Sequence, residues 1–339
     1  MLRPVLVLCA VALAAGPALG APTTFERVRA AGALRCGVPS TPEDWNKIDL
    51  HGPLAALDLE ICKALSVAVL GVKAKVEAHG YPSELTAEEG LSKGEVDVVV
   101  GVTPEATARW HWSIAFGPPV FYDGQGFLVR ADAKAKTVTD LAGAMVCVVD
   151  GTENETVLHA RTVAKGIALV PLVFQEEGEM DDALAVRHCD AISAYKSRLA
   201  ALKVSYPKQL GKDTVLSDQL TLAPIAPAYR NDDVQWSMIV DWTVHALVQA
   251  EAVGLTMANV KDQATNEDPI VQRITGVDWA TSRALGLAAK DWAAQMIAVT
   301  GNYGEIYERT VGMGSALKMP RGINALWTDG GLMQALPVQ

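Results

Sequence analysis

The chain has 339 residues, of which 50% are hydrophobic, and 39 acidic against 29 basic side chains, a net charge of −10. An acidic protein is repelled by nucleic acid and by anionic membrane surfaces, so we expect neither as a partner. The length exceeds that of a typical single domain and predicts two domains with separate cores.

The first twenty residues have the pattern of a secretory signal peptide. Arg3 supplies the positive charge, residues 5–15 form an apolar run, and Ala18-Leu19-Gly20 is a small-x-small cleavage site. The apolar run is too short to span a bilayer as a stable helix. We therefore expect residues 1–20 to be removed and the mature protein to reside in the periplasm.

The next part of the chain alternates strands and helices. Short apolar runs predict strands, and apolar residues four positions apart predict helices. We expect helices over 25–31, 57–70 and 85–92, and strands over 33–38, 73–78 and 96–100. The resulting β-α-β-α-β order predicts parallel strands joined by right-handed crossovers.

The same order recurs further along the chain, with strands over 144–149, 168–174 and 190–194, and helices over 153–164, 181–186 and 195–202. Two extended runs, Val120–Gly126 and Leu220–Arg230, connect the two sets. They predict a two-strand hinge between two α/β lobes. Lobe 1 would comprise residues 21–122 and 223–339, and lobe 2 residues 123–222.

The chain becomes helical from Asp232. Its apolar stripe of Trp236, Val240, Val244 and Leu247 is typical of a buried helix face. We expect this helix, and later ones near 291–300 and 303–311, to form a helical C-terminal extension packed on lobe 1.

Four cysteines follow the signal peptide: Cys36, Cys62, Cys147 and Cys189. An even number in an oxidising compartment favours two disulfide bonds, although buried free thiols would also suit a chain of this size. Their spacing matches no common zinc motif, and the sequence holds no nucleophile motif or phosphate loop. We therefore expect no cofactor and no metal.

The stretch from Glu95 to Phe127 carries the strongest functional signal. An apolar strand ends at Gly101 and delivers Arg109 to the carboxyl edge of a sheet, where α/β proteins bind ligands. A guanidinium suits a carboxylate because its fork donates two parallel hydrogen bonds. Taken alone, Arg109 would be interpreted as a solvated surface residue; the motifs around it favour a binding role.

Those motifs resemble the polar amino acid-binding proteins of bacterial ABC transporters. Gly94, Asp97, Thr103 and Arg109 match the G-x-x-D and arginine motifs of that family. YDGQGF and the run over 302–332 are similar to its general L-amino-acid-binding branch. The resemblance implies a two-lobed type II periplasmic binding protein fold, a small-molecule ligand between the lobes and an ABC transporter permease as partner. We expect a monomer.

The resemblance also assigns residues to the interlobe cleft. Arg109 would bind the carboxylate of the ligand, with the hydroxyl and the backbone N–H of Thr103 beside it. Trp45 would form an aromatic wall, or else pack on its own lobe. Thr152 begins a helix whose N–H groups can meet an anion, and it can also be a simple N-cap.

The chain departs from the family at two positions. Tyr195, followed by Lys196, stands where an aspartate normally holds the α-ammonium of the ligand, and Glu153 replaces the last threonine of a G-T-T motif. Either Glu153 replaces the lost charge, or it is an ordinary first-turn acid and the ligand has no α-amine. Both interpretations predict that the twenty standard amino acids bind poorly.

The expected positions of the strands also suggest the disulfide pairing. Cys36 would join Cys62, on the helix that packs against its strand, and Cys147 would join Cys189, on a neighbouring strand of lobe 2. Each bond would then stay within one lobe.

Two other functions remain open. Some periplasmic cyclohexadienyl dehydratases resemble these binding proteins, and Glu153 could act as a general acid, although no acid/base partner for it is evident. A solute sensor that serves no importer would have the same sequence features.

Overall fold

The computed structural model describes residues 22–39, 52–263 and 265–338. One sheet is built mainly from the first part of the chain, with the strand order β2-β1-β3-β11-β4 and β5 paired to β11. β1 is parallel to β2 and β3, whereas β11 runs antiparallel to its neighbours. Its strands are β1 (Ala33–Pro39), β2 (Lys75–Tyr81), β3 (Val98–Val102), β4 (Ile114–Phe116), β5 (Phe121–Asp123) and β11 (Ala223–Arg230).

The second sheet has the order β10-β6-β9-β7-β8. β7 is parallel to β8 and to β9, and β6 is antiparallel to β9 and β10. Its strands are β6 (Gln125–Val129), β7 (Met145–Val149), β8 (Val170–Phe174), β9 (Ala191–Tyr195) and β10 (Thr214–Val215). Parallel strands joined by helices occur in both sheets, as the sequence predicted.

Helices cover the sheets and continue into the C-terminal extension. The helices are α1 (Thr24–Ala31), α2 (Ala55–Leu70), α3 (Glu84–Ser92), α4 (Ala106–Trp112), α5 (Glu153–Ala164), α6 (Glu177–Ala185), α7 (Lys196–Ser205), α8 (Val234–Ala252), α9 (Pro269–Thr275), α10 (Ala280–Leu285), α11 (Trp292–Thr300) and α12 (Tyr303–Thr310). Short 3₁₀ turns lie at Val138–Leu141, Val260–Asp262, Gly322–Asn324 and Trp327–Asp329. In the part of the chain that the structure describes, no helix has both the length and the apolarity needed to cross a membrane.

Local sequence explains where several helices begin and end. α1 starts with a capping box in which the Thr23 hydroxyl accepts from the Glu26 N–H, and it ends at Gly32 in the left-handed region. α12 starts with the same device, formed by Asn302 and Glu305. Such caps satisfy N–H groups that the first turn of a helix leaves without intrahelical partners.

The core of the first sheet is shared with the C-terminal helices. Trp236 on α8 and Trp292 on α11 are buried in one apolar cluster with residues of α2. The Trp236 indole N–H donates to the Asp97 carbonyl (2.9 Å), and the Asp97 carboxylate pairs with Arg27 and Arg35. Asp97 of the G-x-x-D motif therefore fastens the sheet to α1 and α8.

Each sheet carries one disulfide bond. Cys36 on β1 is bonded to Cys62 on α2. Cys147 on β7 is bonded to Cys189, two residues before the adjacent strand β9. These are the pairs expected from the sequence, and each bond lies beside a single sheet.

The chain passes between the two sheets twice, and the two passages touch. A Cβ atom on Gly124 would lie 2.1 Å from both the Thr221 carbonyl oxygen and Gln219 Nε2, so only glycine permits this approach. The Gln219 amide donates to the Asp123 carbonyl (3.0 Å), and the Gln125 N–H donates to the Thr221 hydroxyl (2.9 Å). YDGQGF is therefore a crossing point of two segments.

The sequence missed four short elements and displaced others by a few residues. β4, β10, α9 and α10 were not predicted, because two to seven residues carry too little periodicity. β2 was predicted over 73–78 but runs to Tyr81, whose ring lies against Gly37 and Gly90. Packing around the Tyr81 ring stabilises the last residues of β2, which the polar sequence of this strand does not predict.

Candidate ligand-binding site

The site residues expected from the sequence follow the carboxyl ends of strands in both sheets. Thr103 comes directly after β3, Thr152 and Glu153 follow β7, and Tyr195 is the last residue of β9. Ligands of open α/β sheets bind at this edge. Trp45 lies outside the described residues.

On the first lobe, the backbone N–H and the hydroxyl of Thr103 both donate to the carboxylate of Glu84. Its backbone N–H donates to Glu84 Oε2 (2.7 Å), and its hydroxyl is 3.4 Å from Glu84 Oε1. Glu84 is the first residue of α3, which follows the N-cap Ser83. Sequence reasoning missed this residue. The available signal was an acid in the first turn of a helix that begins at the ligand-binding edge of the sheet.

A buried carboxyl group lies close to this pair. Asp58, in the first turn of α2, is 2% exposed, and its Oδ1 has no hydrogen-bond partner among the described residues. Gly101 adopts a φ of +95°, and a Cβ there would lie 2.3 Å from Asp58 Oδ2. Burial, followed by the charge of Glu84, holds the pKa of Asp58 well above its usual range.

Two further acids complete this group. Glu88, one turn after Glu84 on α3, is buried, and burial with the charges of Glu84 and Glu105 raises its pKa to about 7. Burial also raises the pKa of Glu84; the hydrogen bonds from Thr103 lower it, and the charge of Glu105 raises it again. We call Asp58, Glu84, Glu88 and Glu105 the acidic cluster.

On the second lobe, Thr152 is the N-cap of α5. Its hydroxyl accepts from the Glu155 N–H (3.3 Å) and donates to the Val149 carbonyl (2.7 Å). Glu153 is exposed at the start of the same helix, where a carboxylate is stabilised by the helix dipole.

Tyr195 connects the two halves of the site electrostatically. Its pKa is raised first by burial and then by the charges of Glu153, Glu84, Asp123 and Glu105. Glu84 and Glu105 flank the first sheet, whereas Glu153 belongs to the second. Carboxylates from both lobes therefore act on one phenol at the end of β9.

Arg109 lies on the helix that follows β3. It is exposed on α4 and lines a groove of about 740 Å³ with Ser92, Ser113 and Asn231. No hydrogen bond joins it to Thr103 within the described chain. The structure thus places Thr103, Glu153 and Tyr195 at or just after the carboxyl ends of strands, and Arg109 on the helix α4.

Lys196, which follows Tyr195, turns away from the ligand side. Its side chain packs on Gly126, and its ammonium donates to the Ser217 carbonyl (3.1 Å). Burial lowers its pKa. The Asp123 carboxylate accepts from the Ser197 N–H (3.3 Å), so the hinge strand caps α7 directly behind Tyr195. In the described ranges, no group of three or more His, Cys, Asp or Glu residues is arranged to hold a metal ion.

Comparison with known proteins identifies the family. No family model matches the chain. It is 36% identical to the general L-amino acid-binding periplasmic protein AapJ of Rhizobium johnstonii over 97% of both chains. It is 33% identical to the glutamate/glutamine/aspartate/asparagine-binding protein BztA of Rhodobacter capsulatus over 96% of both chains.

A solved structure agrees with these relatives. The ABC transporter/periplasmic binding protein of Brucella ovis, with glutathione bound, superposes with a TM-score of 0.78 at 31% identity, covering 94% of this chain and 100% of that one. This similarity confirms the predicted type II periplasmic binding protein fold. The chain therefore belongs to the family of periplasmic amino acid-binding proteins of ABC transporters.

Proposed function

We propose that this chain is the periplasmic solute-binding subunit of an ABC importer and binds an amino acid or a related small carboxylate between its two lobes. The observation that carries the proposal is that both sheets bring candidate side chains to their carboxyl edges. Thr103 follows β3 of the first sheet, and Tyr195 ends β9 of the second. A site with groups from both lobes is what couples ligand binding to closure.

In this proposal each lobe supplies part of the ligand site. Arg109 and Thr103 belong to lobe 1, and Thr152, Glu153 and Tyr195 belong to lobe 2. Trp45 is proposed as an aromatic wall. Arg109 is suited to anchor the ligand carboxylate because its guanidinium is exposed and can donate two parallel hydrogen bonds.

The two chain passages support a hinge. Lobe 1 would comprise residues 21–122 and 223–339, and lobe 2 residues 123–222, with Gly124 and Thr221 in contact where they meet. The two disulfide bonds each lie beside one sheet and do not tie the lobes together. After removal of residues 1–20, the protein would work as a monomer and deliver its ligand to an ABC permease.

A thermal-shift panel tests this function. It contains the standard amino acids, betaines, amines, simple carboxylates and glutathione, which is bound in the Brucella ovis relative. We expect a raised melting temperature with a subset of these compounds, and a smaller radius of gyration by X-ray scattering in their presence. A panel with no shift, or a shift without compaction, contradicts a cleft that closes on its ligand.

We also propose that the protein binds without catalysis, since Glu153 is exposed and general acid chemistry requires a partner placed across the substrate. Incubation with prephenate and arogenate should leave both compounds unchanged. Turnover of either one would favour an enzyme on the same scaffold.

A further inference from the structure

Thr103 supplies the hydrogen-bond donors that a ligand carboxylate would need on lobe 1, and Glu84 already accepts them. The N–H···Oε2 distance is 2.7 Å and the Oγ1···Oε1 distance is 3.4 Å. A second carboxylate brought to these donors would face Glu84 at close range. Like charges disfavour each other at such a distance, so this position is unsuited to a ligand carboxylate.

The surroundings of Glu84 are also negative. In the described part of the chain, the groups that shift the pKa values of Asp58, Glu84 and Glu88 include other carboxylates and no cation. Glu105 is the N-cap residue of α4, and its charge also raises the pKa of Glu84, which is raised first by burial. A group of carboxylates is stabilised by a positive charge that approaches it.

Asp58 provides separate evidence that one oxygen of the acidic cluster lacks a hydrogen-bond donor among the described residues. Its carboxyl group is almost fully buried and lies against Gly101, two residues before Thr103, and the charge of Glu84 acts on it. Its Oδ1 accepts no hydrogen bond from the described residues. Buried polar atoms are nearly always paired, so Asp58 Oδ1 is able to accept one further hydrogen bond.

Tyr195 adds an aromatic group at the carboxyl edge of the second sheet, where it ends β9 and is half-buried. Burial, and then the charges of Glu153, Glu84 and Glu105, raise its pKa. An aromatic face together with carboxylates is well suited to an ammonium or a guanidinium, which combines cation–π attraction with charge-assisted hydrogen bonds.

We propose that Glu84 determines specificity: it fills the donors of Thr103 and, with the rest of the acidic cluster, receives a cationic group of the ligand, an ammonium or a guanidinium. This inference rests on the proposed function, because it places the cation in the same interlobe cleft. It assigns a positive charge, and no carboxylate, to the part of the ligand that lies at Thr103. A ligand carboxylate, where present, belongs at Arg109.

Isothermal titration with matched ligand pairs tests this assignment. L-Arginine and L-citrulline have nearly the same shape, but only arginine is a cation; L-lysine and L-norleucine form a second pair. We expect the wild-type protein to bind the cationic member of at least one pair more than about tenfold tighter, as one charge-assisted contact would give. Agmatine, which is arginine without its carboxylate, shows whether Arg109 contributes separately.

Three variants identify the residue responsible. Glu84→Gln keeps an acceptor for the Thr103 N–H but removes the charge, so the preference within the pair should fall to about threefold or less. Glu84→Ala frees the donors of Thr103, so L-glutamate binding should strengthen about tenfold. Glu89→Gln is the control, because Glu89 lies on the same helix but pairs with Lys93; it should leave the preference unchanged.

The possible outcomes separate the two proposals. If citrulline and norleucine bind as tightly as arginine and lysine, or if Glu84→Gln keeps the full preference, the assignment of the cation is overturned. If the cations of the wider panel bind no more tightly than its neutral and anionic compounds, it is overturned as well, while the transport function stands. If nothing in the wider panel binds, the proposed function itself fails. Circular dichroism of each variant confirms that it has folded.

Discussion

The side-chain amide of Asn324 makes two hydrogen bonds with the backbone of Tyr122, as a neighbouring strand would. The Tyr122 N–H donates to Asn324 Oδ1 (2.6 Å), and Asn324 Nδ2 donates to the Tyr122 carbonyl (2.9 Å). The two residues are 202 positions apart, and Asn324 is buried. The C-terminal segment is thereby fastened to β5, next to the passage into the second sheet.

Replacement of Asn324 by alanine should destabilise the protein by about 1–3 kcal/mol for each backbone group left unpaired. Asn324→Asp keeps an acceptor for the Tyr122 N–H but turns a second carboxylate oxygen toward the Tyr122 carbonyl in a buried position, so its loss of stability in a urea titration should be at least as large. Asn231→Ala is the control, because Asn231 is exposed. Equal stability of the wild-type protein and Asn324→Ala would mean that water replaces both bonds at no cost.

Gly124→Ala should disturb the contact between the two hinge passages. The new methyl group would lie 2.1 Å from the Thr221 carbonyl oxygen, so one passage must shift, at a cost of about 1–3 kcal/mol. We expect a lower melting temperature and a changed radius of gyration without ligand. Gly178→Ala, a helix position with open space around it, should raise stability by about 0.4–1 kcal/mol. A Gly124→Ala protein that matched the wild type in both measurements would contradict a tight crossing.

Arg109→Ala should weaken the binding of carboxylate-containing ligands without affecting the unliganded fold. Loss of a buried charge partner costs about 2–5 kcal/mol, which is roughly 30- to several-thousand-fold in affinity. Because Arg109 is exposed, the melting temperature without ligand should barely change. Arg161→Ala, an exposed arginine on α5, is the matched control. Binding retained within a factor of about three would show that another residue holds the carboxylate.

His245 should make stability fall in weak acid. Burial lowers its pKa from 6.5 to about 4, and its Nδ1 accepts from the Leu336 N–H (3.3 Å). Between these two pKa values the unfolded chain binds the proton and the folded chain does not, so lowering the pH favours unfolding.

His245→Gln tests this dependence, since a glutamine oxygen can accept the same hydrogen bond but does not titrate. Urea titrations at several pH values should give a smaller loss of stability between 6.5 and 4 than in the wild-type protein. His159→Gln, at an exposed position, should leave the profile unchanged. The prediction is wrong if both variants have the same profile as the wild type.

Proton release should accompany the binding of a cation beside the acidic cluster. The pKa of Glu88 is about 7 because of burial and the charges of Glu84 and Glu105, and a nearby cation would lower it. Near that pH, the binding enthalpy of L-arginine should therefore differ between buffers of different ionisation enthalpy. Glu88→Gln should reduce the number of protons released. Proton uptake, or a buffer-independent enthalpy, would place the cation elsewhere.

The sequence predicted the fold well because its strongest signals are local. The apolar run before Gly101 and the four-residue apolar spacing of α2 depend only on neighbouring residues. The contacts within the candidate site are harder to predict, because they join residues that are distant in the sequence. Thr103 was correctly placed at a strand end, but its partner Glu84 lies 19 positions away. Only the folded chain shows that α3 begins beside the end of β3 and that an acid in its first turn takes the donors of Thr103.

The position of β11 also has a consequence for how the protein is made. This strand lies between β3 and β4, yet it is contributed by residues 223–230, after the whole second sheet has been synthesised. Strands β6–β10 come from one continuous stretch and can pair as soon as that stretch is available. The first sheet stays incomplete until β11 is available, and until then the edge of β3 is unpaired. Of the two sheets, the one that begins with β1 is therefore the last to be completed.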